Sequence, residues 1–307
     1  MSTNDSTTGP PERGVYSGFS PGRIWTLATH TMTQLLRMRI LWFLAVFCLL
    51  VLAAAFVFPK QSPEQQLKQL KDWALGAMHV SSIVFAIAST ALLLPRDLED
   101  RTLYTILSKP VPRYEYLIGK LLGVLLLIAG ALIFMDIVFC AVLWMKQTLV
   151  AAGQIAALQR EQSATEENVA FVRGIIARYG LTWSLHAEVW MAFLRAAVVT
   201  ALTLLISCIA STTLFTIVTS CAYTVAGFGV QLMRDWFLHK PYGFTEKFIG
   251  GALAVLCPDL SLFNLAEPAA MGTAIPLDVL LQLTGAGLLY VTGYTAVCHL
   301  FFVEKEL

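Results

Sequence analysis

Six stretches of the chain are apolar over about 19 to 25 consecutive residues, at 40–58, 74–94, 121–145, 189–209, 211–233 and 279–303. A helix rises about 1.5 Å per residue, so about 20 such residues cross the roughly 30 Å of bilayer hydrocarbon. The pattern therefore predicts six membrane-spanning helices. Open strands would leave backbone groups unpaired in lipid, and barrel strands alternate apolar with polar residues rather than running continuously. The polar segments between the runs carry their own periodicities. Ile24, Leu27, Ala28, Met32, Leu35 and Leu36 recur at helical spacing, flanked by Arg23, Arg37 and Arg39. They predict an amphipathic helix over 21–39, lying in the membrane surface or continuing the first span. In 146–188, Val169, Val172, Ile176 and Tyr179 repeat at helical spacing, Ser163 and Glu166 resemble a capping box, and Gly180 a helix stop. This segment is expected to be a helical hairpin outside the bilayer. Within 234–278, the apolar run Phe248–Leu256 is too short to span and reads as re-entrant or interfacial. Residues 1–20, rich in Ser, Thr, Gly and Pro, are expected to be disordered.

Composition agrees with this reading. Hydrophobic residues make up 57% of the 307 and charged residues 13%, and mean hydropathy is +0.69. That is too apolar for a soluble globule and the reverse of a disordered chain. A net charge of +1 supplies no basic field for nucleic acid. All seven tryptophans lie at or near the ends of the apolar runs, as expected of an interfacial belt. The six cysteines form no C-x-x-C pair and read as small buried hydrophobes. The first apolar run starts too late for a cleavable signal peptide.

The most informative segment is PRDLEDRTLYTILSKPVPRYEYLIGK, residues 95–120. Pro95 is expected to end the second span. Asp97, Glu99 and Asp100 favour a helix N-terminus, and Leu103, Ile106 and Leu107 give a short apolar face. Lys109-Pro110-Val111-Pro112 ends it, because neither proline continues a helix. A short charged helix with a stiff exit is either a docking element or a solvated connector.

Three blocks of this stretch resemble the membrane subunits of ABC-2 type transporters: acidic–x–acidic–x–Arg-Thr-Leu, then Ile-Leu-Ser-Lys-Pro-Val-x-Arg, then Tyr-Leu-Ile-Gly-Lys-Leu-Leu-Gly. The residues concerned are Asp97, Glu99, Arg101, Thr102, Leu103, Leu107, Ser108, Pro110, Arg113, Gly119, Lys120 and Gly123. The likeness is nearest to the branch that includes the permease of the nitrous-oxide-reductase maturation system. Cys257-Pro258-Asp259-Leu260-Ser261-Leu262-Phe263-Asn264 also resembles the stretch that precedes the family's last span. The resemblance implies an all-α, six-helix membrane domain of ABC-2 (type V) exporter kind, with an interfacial helix before the first span. It implies that Asp97, Glu99, Asp100, Arg101, Thr102, Leu103, Leu107 and Arg113 belong to a cytoplasmic coupling helix that docks on an ATP-binding subunit. The implied partners are that ATPase, a second copy or a similar permease, and the bilayer. The implied site is the cytoplasmic membrane of a bacterium.

No G-x-x-x-x-G-K-[ST] occurs, so the chain lacks a phosphate-cradling loop. The implied topology also leaves about 70 residues in the cytoplasm, against about 100–150 in a typical domain. ATP and Mg are expected on the partner, with no cofactor and no ATP hydrolysis in this chain. Gly119 and Gly123 form G-x-x-x-G, with Gly130 one heptad on, a spacing that lets helices approach closely. Asp136 and Arg195 are the charges deep within runs, where each costs about 2.5–3.5 kcal/mol on insertion scales. Antiparallel helices would put them at similar depth, which predicts an ion pair. His79 and His299 read as hydrogen-bonded packing residues. No His/Cys/Met cluster shows ligand spacing, so no metal site is expected. Two other functions remain open. One is a secondary transporter using Asp136 and Arg195. The other is an ATPase-driven assembly module acting through 146–188.

Overall fold

The computed structural model describes residues 20–37, 41–57, 62–99, 112–210, 212–239 and 257–304. Among them every long element is a helix: α1 (Pro21–Leu36), α2 (Leu41–Val57), α3 (Pro63–Glu99), α4 (Arg113–Arg160), α5 (Glu166–Tyr179), α6 (Trp183–Ile209), α7 (Thr213–His239), α8 (Ala266–Ala270) and α9 (Leu277–Glu304). A 3-10 turn at Leu260–Phe263 precedes α8. Residues 1–19, expected to be disordered, and the run Phe248–Leu256 lie outside the described residues.

The helices outrun the apolar stretches that announced them. α3 starts at Pro63, eleven residues ahead of the expected second span. Pro63 supplies a helix-ready φ, Ser62 Oγ accepts from Gln65 N at 3.4 Å, and the following Glu, Gln, Lys and Leu are good helix formers. Nor does Pro95 end α3, which continues to Glu99. A single missing donor did not outweigh the helix-forming residues around it. α4 is one unbroken helix of 48 residues, so the first arm of the expected hairpin is the third span prolonged. It stops where Gln162 takes φ of 52°. The expected capping box is displaced: Thr165, not Ser163, is the N-cap of α5, its side chain accepting from Asn168 N. Ser163 is occupied elsewhere, its hydroxyl donating to Leu158 O and its carbonyl accepting from Asn168 Nδ2. Gly180 does end α5, its N–H bonding Ile176 O at 2.8 Å.

Among the described residues, five stretches are long and apolar enough to cross a bilayer: α3, α4, the α5–α6 stretch, α7 and α9. α2, with 17 apolar residues, falls just short of that length. α6 is the axis of the bundle. In its stretch 83% of the most apolar window is buried against protein, whereas α9 buries only 17%. α9 therefore turns most of its surface to lipid or to another chain. Trp25, Trp42, Trp73, Trp144, Trp183 and Trp190 are all exposed, as an interfacial belt requires. Cys208, Cys257 and Cys298 are buried and Cys140 is half-buried, but Cys221 is exposed.

α1 packs along the start of α4. Its buried residues Ile24, Ala28, Thr31 and Leu35 form one stripe, while Leu36 of the expected apolar face is exposed. The stripe meets Gly119 and Gly123. A Cβ on Gly119 would lie 2.6 Å from Leu27 Cβ, and one on Gly123 would lie 2.7 Å from the Ala28 carbonyl oxygen. The G-x-x-x-G is thus a helix-packing notch. Gly130 is not part of it: nothing lies within 4 Å of its would-be Cβ. At the far end Gly272 has φ of 68°, and its would-be Cβ falls 1.9 Å from Arg178 O. Only glycine lets that turn close on the end of α5.

Candidate functional site

Of the expected coupling residues, Asp100, Arg101, Thr102, Leu103 and Leu107 lie outside the described residues, as do the side chains of Asp97 and Glu99. Both mouths of the segment are described, at the end of α3 and the start of α4. The first two turns of α4 carry three charges, and each is committed to a neighbour. Arg113 Nη1 donates to Phe302 O at 3.1 Å and Val303 O at 2.8 Å, satisfying the last carbonyls of α9. Glu115 is fully buried and takes a two-pronged bond from Arg23 of α1, at 2.6 and 2.8 Å, plus Ser20 N at 3.0 Å. Lys120 is 3% exposed, with Nζ 5.6 Å from the centre of the Tyr116 ring, and that ring stacks on Phe302. Glu115 precedes the apolar run 121–145. The Arg23 guanidinium, seconded by Ser20 N–H, holds its carboxyl below the usual carboxylate range, against the opposing effect of burial. The start of α4 is therefore bolted to α1 on one side and α9 on the other.

A second charged junction lies among the spans. Arg195 of α6 places Nη1 2.8 Å from His79 Nδ1 on α3, and its Nη2 donates to Phe263 O. His79 Nε2 meets Glu188 Oε1, and Glu188 Oε2 accepts from Leu265 N at 2.8 Å. Arginine has only donors, so His79 Nδ1 must accept, and its proton sits on Nε2, facing the carboxylate. The row reads guanidinium, neutral imidazole, carboxylate, and sums to zero charge. Arg195 also lies over the Phe228 ring of α7, 5.4 Å from its centre. One arginine thus ties α6 to α3, to α7 and to the turn before α8. His79 is more than a packing residue; it is the middle of an ionic chain. His299, by contrast, meets Tyr114 edge-on, and its buried Nδ1 has no hydrogen-bond partner among the described residues.

The expected Asp136–Arg195 pair does not form. Asp136 Oδ2 lies 2.8 Å from His186 Nδ1 instead. His186 is nine residues before Arg195, roughly 13 Å along α6. The pairing failed because α6 begins at Trp183 rather than at 189. That brings His186 and Glu188 into the helix as nearer partners. Two residues apart on a helix, they are turned by about 200° from each other, so His186 faces α4 while Glu188 faces α3. Glu188 was missed because it stands one residue ahead of the apolar run. A signal existed: Glu188 and Arg195 are seven residues apart, two turns, and share a face. Cys140, one turn after Asp136, places Sγ 3.7 Å from Asp136 Oδ1. Asp136, Cys140 and His186 therefore converge, although no ligand cluster was expected from their spacing.

Described residues that are all-helical beyond their turns, with five bilayer-length apolar stretches and charges neutralised between helices, define the class: a multi-pass membrane protein. Within that class, the sequence pattern of the ABC-2 family transporter proteins matches residues 25–301, and the chain belongs to that family. It is thus a permease subunit of an ABC-type transporter. No curated protein matches the chain by direct comparison of sequence.

Proposed function

We propose that this chain is the transmembrane subunit of an ABC-2 type exporter in a bacterial cytoplasmic membrane, driven by ATP hydrolysis on a separate subunit. The observation that carries the reading is the family match across almost the whole chain, from 25 to 301. α2 serves as the sixth span, α1 rides at the membrane surface against α4, and residues 95–120 face the cytoplasm with both termini. The segment 95–120 docks on the ATPase through Asp97, Glu99, Asp100, Arg101, Thr102, Leu103 and Leu107. Arg113 and Glu115 then pass its displacement to α9 and α1, because they join those helices to the first turn of α4. Two copies, or this chain and a similar permease, complete the membrane domain, and the poorly covered α9 supports a helix-to-helix contact there. ATP and Mg are held by the partner.

A relay through Asp136 and Arg195, as in a secondary transporter, has no support from the geometry, since each is bonded to a different histidine. Purification of the tagged chain from its native membrane tests the proposal. The expected result is co-purification of an ATP-binding-cassette subunit, with ATPase activity retained by the complex. A chain that purifies without any nucleotide-binding partner, and transports without ATP, would overturn it.

A further inference from the structure

Asp136 and Cys140 stand one turn apart on α4, and His186 stands in the first turn of α6. Their Oδ, Sγ and imidazole nitrogen all lie within 4.8 Å of one another. Ligands bound to zinc at about 2.0–2.3 Å in a tetrahedron sit roughly 3.3–3.8 Å apart. Asp136 Oδ1 and Cys140 Sγ, 3.7 Å apart, fit that edge, whereas Asp136 Oδ2 and His186 Nδ1, at 2.8 Å, are at hydrogen-bond distance and need to part by only about 0.5 Å to admit an ion. An i, i+4 pair facing a third ligand on a neighbouring helix is a workable chelating arrangement. We propose that Asp136, Cys140 and His186 form a binding site for a borderline divalent cation of the zinc type.

The donor set decides the class of ion. Thiolate and imidazole suit zinc and its neighbours, whereas Mg²⁺ and Ca²⁺ require oxygen ligands. Three protein ligands leave a fourth position for water or a small anion. The charges also balance: one carboxylate and one thiolate neutralise a divalent ion, which suits a site on helices that cross a membrane. On binding, the Cys140 thiol releases its proton to solvent, and no electron moves. Facing a carboxylate that only accepts, His186 holds its proton on Nδ1; on binding, that proton leaves to solvent, Nδ1 ligates the metal and Nε2 takes up a proton, so the imidazole stays neutral. The site is not sealed in protein, since the His186 side chain is 34% exposed and that of Asp136 17%, and His186 stands ahead of the apolar run 189–209, on the side from which an ion would enter. The edge-on Trp183 ring, 5.6 Å from His186, shields one side. Occupancy would clamp α4, within its apolar run, to the first turn of α6, just ahead of the run 189–209. The proposal does not depend on the direction of transport or on the ATPase.

Cobalt(II) is the probe, titrated into the full-length, tag-free protein in detergent micelles. The expected result is one equivalent per chain, with a thiolate-to-cobalt charge-transfer band and tetrahedral d–d bands, both reversed by zinc. Cys140→Ser should remove the charge-transfer band. His186→Asn and Asp136→Asn should each weaken binding by at least about tenfold, the low end of what even a lost outer-shell partner costs. Cys221→Ser, at an exposed thiol, should change nothing. Should Asp136→Asn fail to fold, Cys140→Ser alone decides, since it preserves shape and removes only the sulfur. No charge-transfer band in the wild-type protein, or an unchanged band in Cys140→Ser, overturns the site.

Discussion

At the scale of single residues, the most consequential side chain is Arg195. It is 3% exposed and bonded to His79 and Phe263 O, with Phe228 beneath it. Its charge is answered by Glu188 across a neutral imidazole, so removing either end leaves the other buried and unbalanced. Breaking a buried pair in this way costs about 3–5 kcal/mol. Arg195→Gln and Glu188→Gln are each expected to lower the thermal midpoint in detergent sharply. The double variant should lose less than the sum, with a coupling of about 0.5–3 kcal/mol. Strict additivity would show that the row does not act as a unit. The same cycle on Asp136→Asn and Arg195→Gln should be additive within about 0.5 kcal/mol. A glycine pair offers a second contrast. Gly123→Ala must push α1 away from the Ala28 carbonyl, whereas Gly130→Ala meets open space. The first should destabilise the protein. The second should be neutral, or gain up to about 1 kcal/mol from helix propensity. Equal effects in a thermal melt would remove the notch from the account.

At the scale of elements, the docking of α1 on α4 depends on one ionised carboxyl. Glu115 has its pKa lowered by Arg23 and by Ser20 N–H. A depressed carboxyl contributes stability in full above its unfolded value, about 4.3, and loses it as pH falls through the lower folded value. α1 should therefore remain docked at neutral pH and loosen only in acid. Hydrogen exchange over residues 21–36 should stay slow near pH 7 and rise once pH drops well below 4.3. Arg23→Gln should move that onset upward in pH, and an unchanged onset would detach the pH dependence from this pair. The elements themselves were legible in the sequence to an uneven degree. The cores of α2, α3, α4, α6, α7 and α9 were readable because apolar runs of bilayer length have few other structures available. Their ends were not, since hydropathy marks where a helix meets lipid and says nothing of where it stops. That one blind spot hid Glu188 and His186, and so misassigned the partners of Asp136 and Arg195. The G-x-x-x-G notch was visible from spacing, but the helix that fills it was not. α1 reaches the notch across about 90 residues of chain, a long-range contact that no local pattern encodes.

At the scale of the whole molecule, the reading turns on the charged connector and its orientation. Glu99 and Arg101 are expected at the ATPase contact, where exposed single ion pairs are worth only about 0–1 kcal/mol each. Reversing both charges together should weaken association with the ATPase and uncouple hydrolysis from transport. The melting behaviour should stay unchanged, because the spans hold the fold. Normal transport-linked hydrolysis in the double reversal would reduce the segment to a tether. Orientation has a direct check. A cysteine at Ser163, in the turn between α4 and α5, should be labelled by an impermeant maleimide in whole cells in a Cys221→Ser background. Failure to label would invert the topology.

α4 runs without a break for 48 residues. At 1.5 Å per residue that is about 72 Å, against about 40–45 Å for a bilayer with its headgroups. Its foot holds Arg113 and Glu115, and its far end carries the turn into α5. Such a rod is a lever arm. Tilting it by about 5° around its foot would sweep the tip through roughly 6 Å, from the same rise per residue. If the foot faces the ATPase as proposed, small displacements there would be magnified on the opposite side of the membrane, through the rigidity of the helix itself.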